Sequence, residues 1–120
     1  MKVIVADDDP GVQLVLKRMC EQEGHTVDLA SSTHDVAVLV VSHRYDAAAV
    51  DLMMPAEADG LEAVRLLLES GVPRVVMVTG TDALVAEAAM RDAGISGVRA
   101  LQKPLSRELM RAMGLVEKGG

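Results

Sequence analysis

The sequence predicts an α/β domain: a doubly wound, five-stranded parallel sheet with five helices. Short apolar runs, among them Val3-Ile4-Val5-Ala6, Ala47-Ala48-Ala49-Val50 and Val75-Val76-Met77-Val78, alternate with stretches of helical period. Five such strand–helix units imply parallel strands with helices on both faces of one sheet. No internal repeat, linker or low-complexity tract interrupts the alternation, so residues 1–120 read as one domain.

Each element has its own justification. Residues 2–6 form a buried strand. Pro10 then suits the first turn of a helix capped by Asp8 or Asp9. Val12, Val15, Leu16, Met19 and Cys20 recur at helical spacing on one face, and Gly24 ends that helix. Residues 26–30 give a short strand. Ser31 to Thr33 supply a cap for a helix over 33–42 carrying Val36, Leu39 and Val40. Residues 47–50 are predicted as a strand from their bounding residues, because Ala is a poor strand former. Gly60 precedes a helix over 61–70 with Leu61, Val64 and Leu68 on one side. Pro73 leads into a strand at 74–78, and Thr81 or Asp82 caps a helix over 82–92. Gly94 and Gly97 break the chain before a strand at 98–101. Ser106 caps a last short helix bearing Leu109, Met110 and Met113, and Glu117 to Gly120 read as a frayed end.

Composition narrows the function. Half of the residues are hydrophobic, with one Tyr and no Phe or Trp, so Ala, Val, Leu and eight Met must fill the core. A formal net charge of −6 without a basic run argues against a nucleic-acid surface. Cys20 stands alone, which excludes an internal disulfide. Asp7 to Asp9 interrupt the first apolar run, so no signal peptide is visible, and no stretch is long enough to span a membrane. The expectation is a cytoplasmic domain without membrane contact. His25, His34 and His43 show no ligand spacing and read as surface residues.

The polar residues after the strands carry the chemistry. Asp7-Asp8-Asp9 come after the first strand, Asp51 after the third, Thr79 after the fourth and Lys103-Pro104 after the fifth. In parallel sheets, ligands sit outside the carboxyl ends of the strands. Several anions, one cation and one hydroxyl therefore gather in one crevice, a set that binds a divalent metal and handles a phosphoryl group.

The chain resembles the receiver domain of two-component response regulators, of the chemotaxis-regulator type. The resemblance rests on Val5-Ala6-Asp7-Asp8-Asp9-Pro10, Asp46 through Asp51-Leu52-Met53-Met54-Pro55, Asp59-Gly60, Val78-Thr79-Gly80 and Leu101-Gln102-Lys103-Pro104. It implies a flavodoxin-like fold with strand order 2-1-3-4-5. It also implies Asp51 as phosphoacceptor and a Mg²⁺ ion held by Asp8 directly, by Asp7 through water, by Asp51 and by the backbone carbonyl of Met53. Lys103 would pair with a phosphoryl oxygen, Thr79 would donate its hydroxyl to another, and a cis Pro104 would orient the lysine. Asp9 is left as the helix cap. Met53 and Thr81 would occupy positions that tune water access. The donor would be a sensor histidine kinase or phosphotransfer protein, and a downstream effector would read the change. The domain would be a signalling switch rather than an enzyme, with self-catalysed phosphorylation and autodephosphorylation.

Two departures from the family pattern stand out. Three residues, Ala56-Glu57-Ala58, separate Pro55 from Asp59-Gly60 where the family has two, and Ala100 replaces a usual Tyr or Phe. They keep open a phosphorylation-independent adaptor on the same fold. A haloacid-dehalogenase-like phosphatase is the enzymatic alternative, since Asp7 and Asp9 mimic its Asp-x-Asp. That family wants Thr or Val where Gly11 stands, and an acidic pair after the lysine where only Glu108 and Glu117 remain. A free-standing regulator and a receiver cut from a longer protein both fit the chain.

Overall fold

A computed structural model describes residues 1–54, 57–103 and 107–115. Strands β1 (Lys2–Ala6), β2 (Thr26–Ala30), β3 (Ala47–Asp51), β4 (Val75–Thr79) and β5 (Arg99–Gln102) alternate with five helices. These are α1 (Pro10–Gln22), α2 (Thr33–Ser42), α3 (Glu57–Glu69), α4 (Ala83–Asp92) and α5 (Arg107–Ala112). All strand pairs are parallel and the sheet order is β2-β1-β3-β4-β5, the order that the resemblance implies.

The strand period of two divides the core in half. Ile4, Ala48, Val50, Met77 and Ala100 pack with α2, α3 and α4 through Val36, Ala63, Val64, Leu67, Ala86 and Met90. The alternate residues, Val3, Val5, Ala47, Ala49, Val76 and Val78, pack with α1 and α5 through Leu16, Cys20, Leu109, Met110 and Met113. Both faces of β3 are thus buried, and its Ala-Ala-Ala-Val sequence is held as strand by neighbours on both edges rather than by propensity.

Helix starts use the expected caps. Asp9 accepts from the Gly11 and Val12 N–H groups, Ser32 from Asp35, and Asp82 from Leu84. Two helix faces differ from the sequence expectation. On α1, Val15 is exposed and Gln13 is buried instead. On α3, Leu67 is buried and Leu68 exposed. Periodicity fixes a stripe's spacing, but what packs against the helix decides which edge of a broad stripe is covered, as the loop after β2 does for Gln13.

Helix α3 also begins at Glu57, ahead of the expected residue 61, so Gly60 lies inside its first turns. A Cβ there would sit 2.1 Å from the Leu52 carbonyl oxygen and 2.6 Å from that of Asp51. Glycine at this position permits close approach of helix to loop; it does not break the helix. The Thr33 hydroxyl fastens the same turn by donating to the Asp59 carbonyl at 2.8 Å.

His25 is half-buried, unlike exposed His34 and His43, and its ring bonds the N-terminal amine and the Leu115 carbonyl. Pro55 and Ala56 of the longer loop, Pro104, the Ser106 cap and residues 116–120 lie outside the described residues.

Candidate functional site

Strands β1, β3 and β4 each deliver a polar residue to the same edge of the sheet, and Lys103 comes directly after β5. Strands β3 and β4 run one residue further than expected, so Asp51 and Thr79 are their last residues and inherit the strand's rigidity. Asp7, Asp51 and Thr79 are 2 %, 7 % and 1 % exposed, whereas Asp8 is exposed to solvent. Carboxylate oxygens of Asp7, Asp8 and Asp51 lie within 4.8 Å of one another. The Lys103 ammonium bridges two of them, with Nζ 3.3 Å from Asp7 Oδ2 and 3.7 Å from Asp51 Oδ2. Its backbone is fixed by an N–H bond to the Thr79 carbonyl at 2.7 Å.

Three carboxylates against one ammonium leave the pocket anionic. The consequence falls on Asp51, whose carboxyl is pushed up to about 6. Burial is the main cause and repulsion from Asp7 the next, with Asp8 adding a little; Lys103 and the Met53 N–H pull the other way. That N–H donates to Asp51 Oδ1 at 3.3 Å. Oxygen-only donors, two of them buried anions with one shared cation, fit a hard divalent ion such as Mg²⁺. Asp9 is outside this set. Its carboxylate caps α1, while its own N–H donates to Asp7 Oδ1 at 2.9 Å.

Thr79 Oγ1 accepts the Thr81 N–H at 3.0 Å and lies 2.9 Å from the Thr81 hydroxyl. The Thr79 oxygen is therefore held by its own loop through the Thr81 N–H and hydroxyl.

The raised Asp51 carboxyl has a measurable consequence. A carboxylate whose folded-state value lies above its unfolded one binds the proton more tightly when folded. Between about pH 4 and pH 6 the contribution of Asp51 to the stability of the metal-free protein therefore falls as pH rises. Asp51→Asn, which cannot ionise, should stabilise the metal-free protein at pH 7 by about 1–3 kcal/mol, and the gain should vanish near pH 4. Urea melts of both proteins at the two pH values check it; a stability gain equal at both values would contradict it.

Sequence reasoning found the strand-end residues but missed Gln13. The residue is 8 % exposed, and its amide bonds the Asp7 carbonyl, where the helix stripe predicts only apolar side chains. A polar residue between Val12 and Leu16 was the available signal. Ala100 is buried with Met77, Ala86 and Met90, so the position usually held by a ring is closed core here. Cys20 is buried and its thiol pushed up to about 11 by burial, as expected of a structural cysteine.

The geometry agrees with what the chain is similar to. The family model for the response regulator receiver domain matches residues 3–114. The response regulator MprA of Mycolicibacterium vanbaalenii is 34% identical over 113 residues, covering 93% of this chain and 48% of that protein. The chain thus spans about half the length of the curated relatives it matches. Among solved structures, the receiver domain of Francisella response regulator 1452 superposes with a TM-score of 0.76 at 27% identity, covering 95% of this chain and 94% of that one. A Burkholderia pseudomallei response regulator, at 22% identity and TM-score 0.79 over 93% of this chain and 65% of its own, shares the fold. Fold, family model and relatives agree that this chain belongs to the response regulator receiver domains of two-component signalling.

Proposed function

We propose that this domain is a phosphoacceptor switch in which Asp51 takes a phosphoryl group from a phosphohistidine of a sensor kinase or phosphotransfer protein. The observation that carries the reading is the convergence of Asp7, Asp8 and Asp51 with Lys103 at one sheet edge. Asp51 is mostly ionised at pH 7 yet poorly solvated, which makes it a reactive nucleophile. Its carboxylate attacks phosphorus in line; the P–N bond breaks and the imidazole nitrogen leaves with the electron pair. Asp8, Asp51 and the Met53 carbonyl would hold Mg²⁺, with Asp7 acting through water; when bound, the ion supplies positive charge to the phosphoryl oxygens. Lys103 adds a second positive charge, and Thr79 donates its hydroxyl to a phosphoryl oxygen. Water attack on the acyl phosphate in the same pocket resets the switch.

The Burkholderia pseudomallei regulator on this fold is described with a phosphorylated aspartic acid and a calcium ion, which supports the chemistry. A dehalogenase-like phosphatase is disfavoured, because Asp9 is committed to capping α1. The effector would read the movement of Thr79 through the loop to Asp82 and helix α4. Ala100, packed in the core, has no ring to report it.

Titration with beryllofluoride and Mg²⁺, monitored by amide NMR, tests the reading. Saturable binding should shift Thr79 to Asp82 strongly and residues 98–101 weakly. No binding would favour the phosphorylation-independent adaptor, and sustained turnover of phosphomonoesters would favour the phosphatase.

A further inference from the structure

Gln13 is a buried polar side chain that the phosphoacceptor chemistry leaves unused. It sits on the first turns of α1, and its Nε2 amide faces three acceptors. These are the Asp7 carbonyl at 2.5 Å, the Ala30 carbonyl at 3.2 Å and the Ser31 hydroxyl at 3.0 Å. The amide has two hydrogens, and the Asp7 carbonyl, as the nearest acceptor, takes one of them. That carbonyl belongs to the peptide joining Asp7 to Asp8. The next peptide, joining Asp8 to Asp9, is held by its N–H on Asp7 Oδ1 at 2.9 Å. Both peptide groups flanking Asp8 are therefore tied down, one by Gln13 and the other by Asp7. The exposed Asp8 carboxylate is presented by a clamped backbone.

We propose that Gln13 is a positioning residue for the divalent cation, acting through the Asp7 carbonyl to fix the direction in which Asp8 leaves the chain. The inference rests on the metal reading of the acidic cluster. Groups that orient a ligand without touching the metal change affinity by about 10- to 100-fold when removed. Freeing the 7–8 peptide lets Asp8 sample directions that do not converge on Asp7 and Asp51, and binding must then order it. The Ser31 contact ties the same amide to the loop after β2 and does not touch the acidic loop, so it serves as an internal control.

Mg²⁺ affinity is to be measured by calorimetry on the full chain for wild type, Gln13→Met, Gln13→Asn and Ser31→Ala, with thermal melts alongside. Met keeps the volume and removes the donors. Asn keeps the amide but, one methylene shorter, withdraws it from the Asp7 carbonyl. Both Gln13 variants should bind Mg²⁺ about tenfold more weakly, and Ser31→Ala should stay within about twofold of wild type. A purely structural Gln13 would lower the melting temperature and leave the affinity of the folded protein unchanged, which would overturn the proposal. Should either variant fail to fold, the wild-type Gln13 side-chain amide resonances give the answer: they should shift on Mg²⁺ addition, and their indifference would count against it. Wild type that binds no Mg²⁺ would bring down the metal reading itself, whereas tight binding by wild type and both variants alike would remove only the role of Gln13.

Discussion

Asp8→Ala should abolish Mg²⁺ binding at millimolar metal while the domain remains folded. Asp8 is the exposed member of the acidic cluster, so its removal opens no cavity and breaks no core contact. It would remove the proposed direct ligand, leaving Asp7 and Asp51, which already share the Lys103 ammonium. Mg²⁺ is reluctant to dehydrate for so few charged oxygens. Repulsion on Asp51 also falls, because Asp8 is one of the groups that raise its carboxyl. The metal-free variant should therefore be slightly more stable than wild type, not less. Calorimetric titration and a urea melt check both halves. Unchanged Mg²⁺ affinity would show that another carboxylate is the ligand.

The second large effect concerns Gly60. In a helix interior Gly→Ala ordinarily gains about 0.5–1 kcal/mol. At Gly60 the added methyl would sit 2.1 Å from a backbone carbonyl that cannot rotate away without moving the loop after Asp51. Steric overlap of that size outweighs helix propensity. Gly60→Ala should destabilise by about 3 kcal/mol or more, and should also weaken Mg²⁺ binding by shifting the Met53 segment. Denaturant unfolding reads the first expectation; a stabilised variant would mean that α3 does not press on this loop.

Both expectations depend on which features the sequence exposes. The strand-end residues were legible because parallel strands all point their carboxyl ends toward one edge of the sheet. Asp7, Asp8, Asp51 and Lys103 accordingly cluster as their positions foretold. Caps were legible because Asp9, Ser32 and Asp82 act on N–H groups only two or three residues away. The fit between helix and loop was not. Gly60 was placed just ahead of the helix, since a glycine required by contact reads the same in sequence as one at a helix start. Gln13 was hidden for a related reason: its partners at Ala30 and Ser31 are 17 and 18 residues away, and only the fold brings them over α1. Val15 and Leu68 were assigned to buried faces by period alone, and the tertiary packing of each helix leaves both exposed.

The central claim is that Asp51 receives the phosphoryl group, and intact-mass measurement after incubation with acetyl phosphate and Mg²⁺ tests it most directly. Wild type should gain a single phosphate, lost again as the acyl phosphate hydrolyses, while Asp51→Ala gains none. Equal labelling of the two proteins, or a phosphate that maps to another residue, would contradict the account.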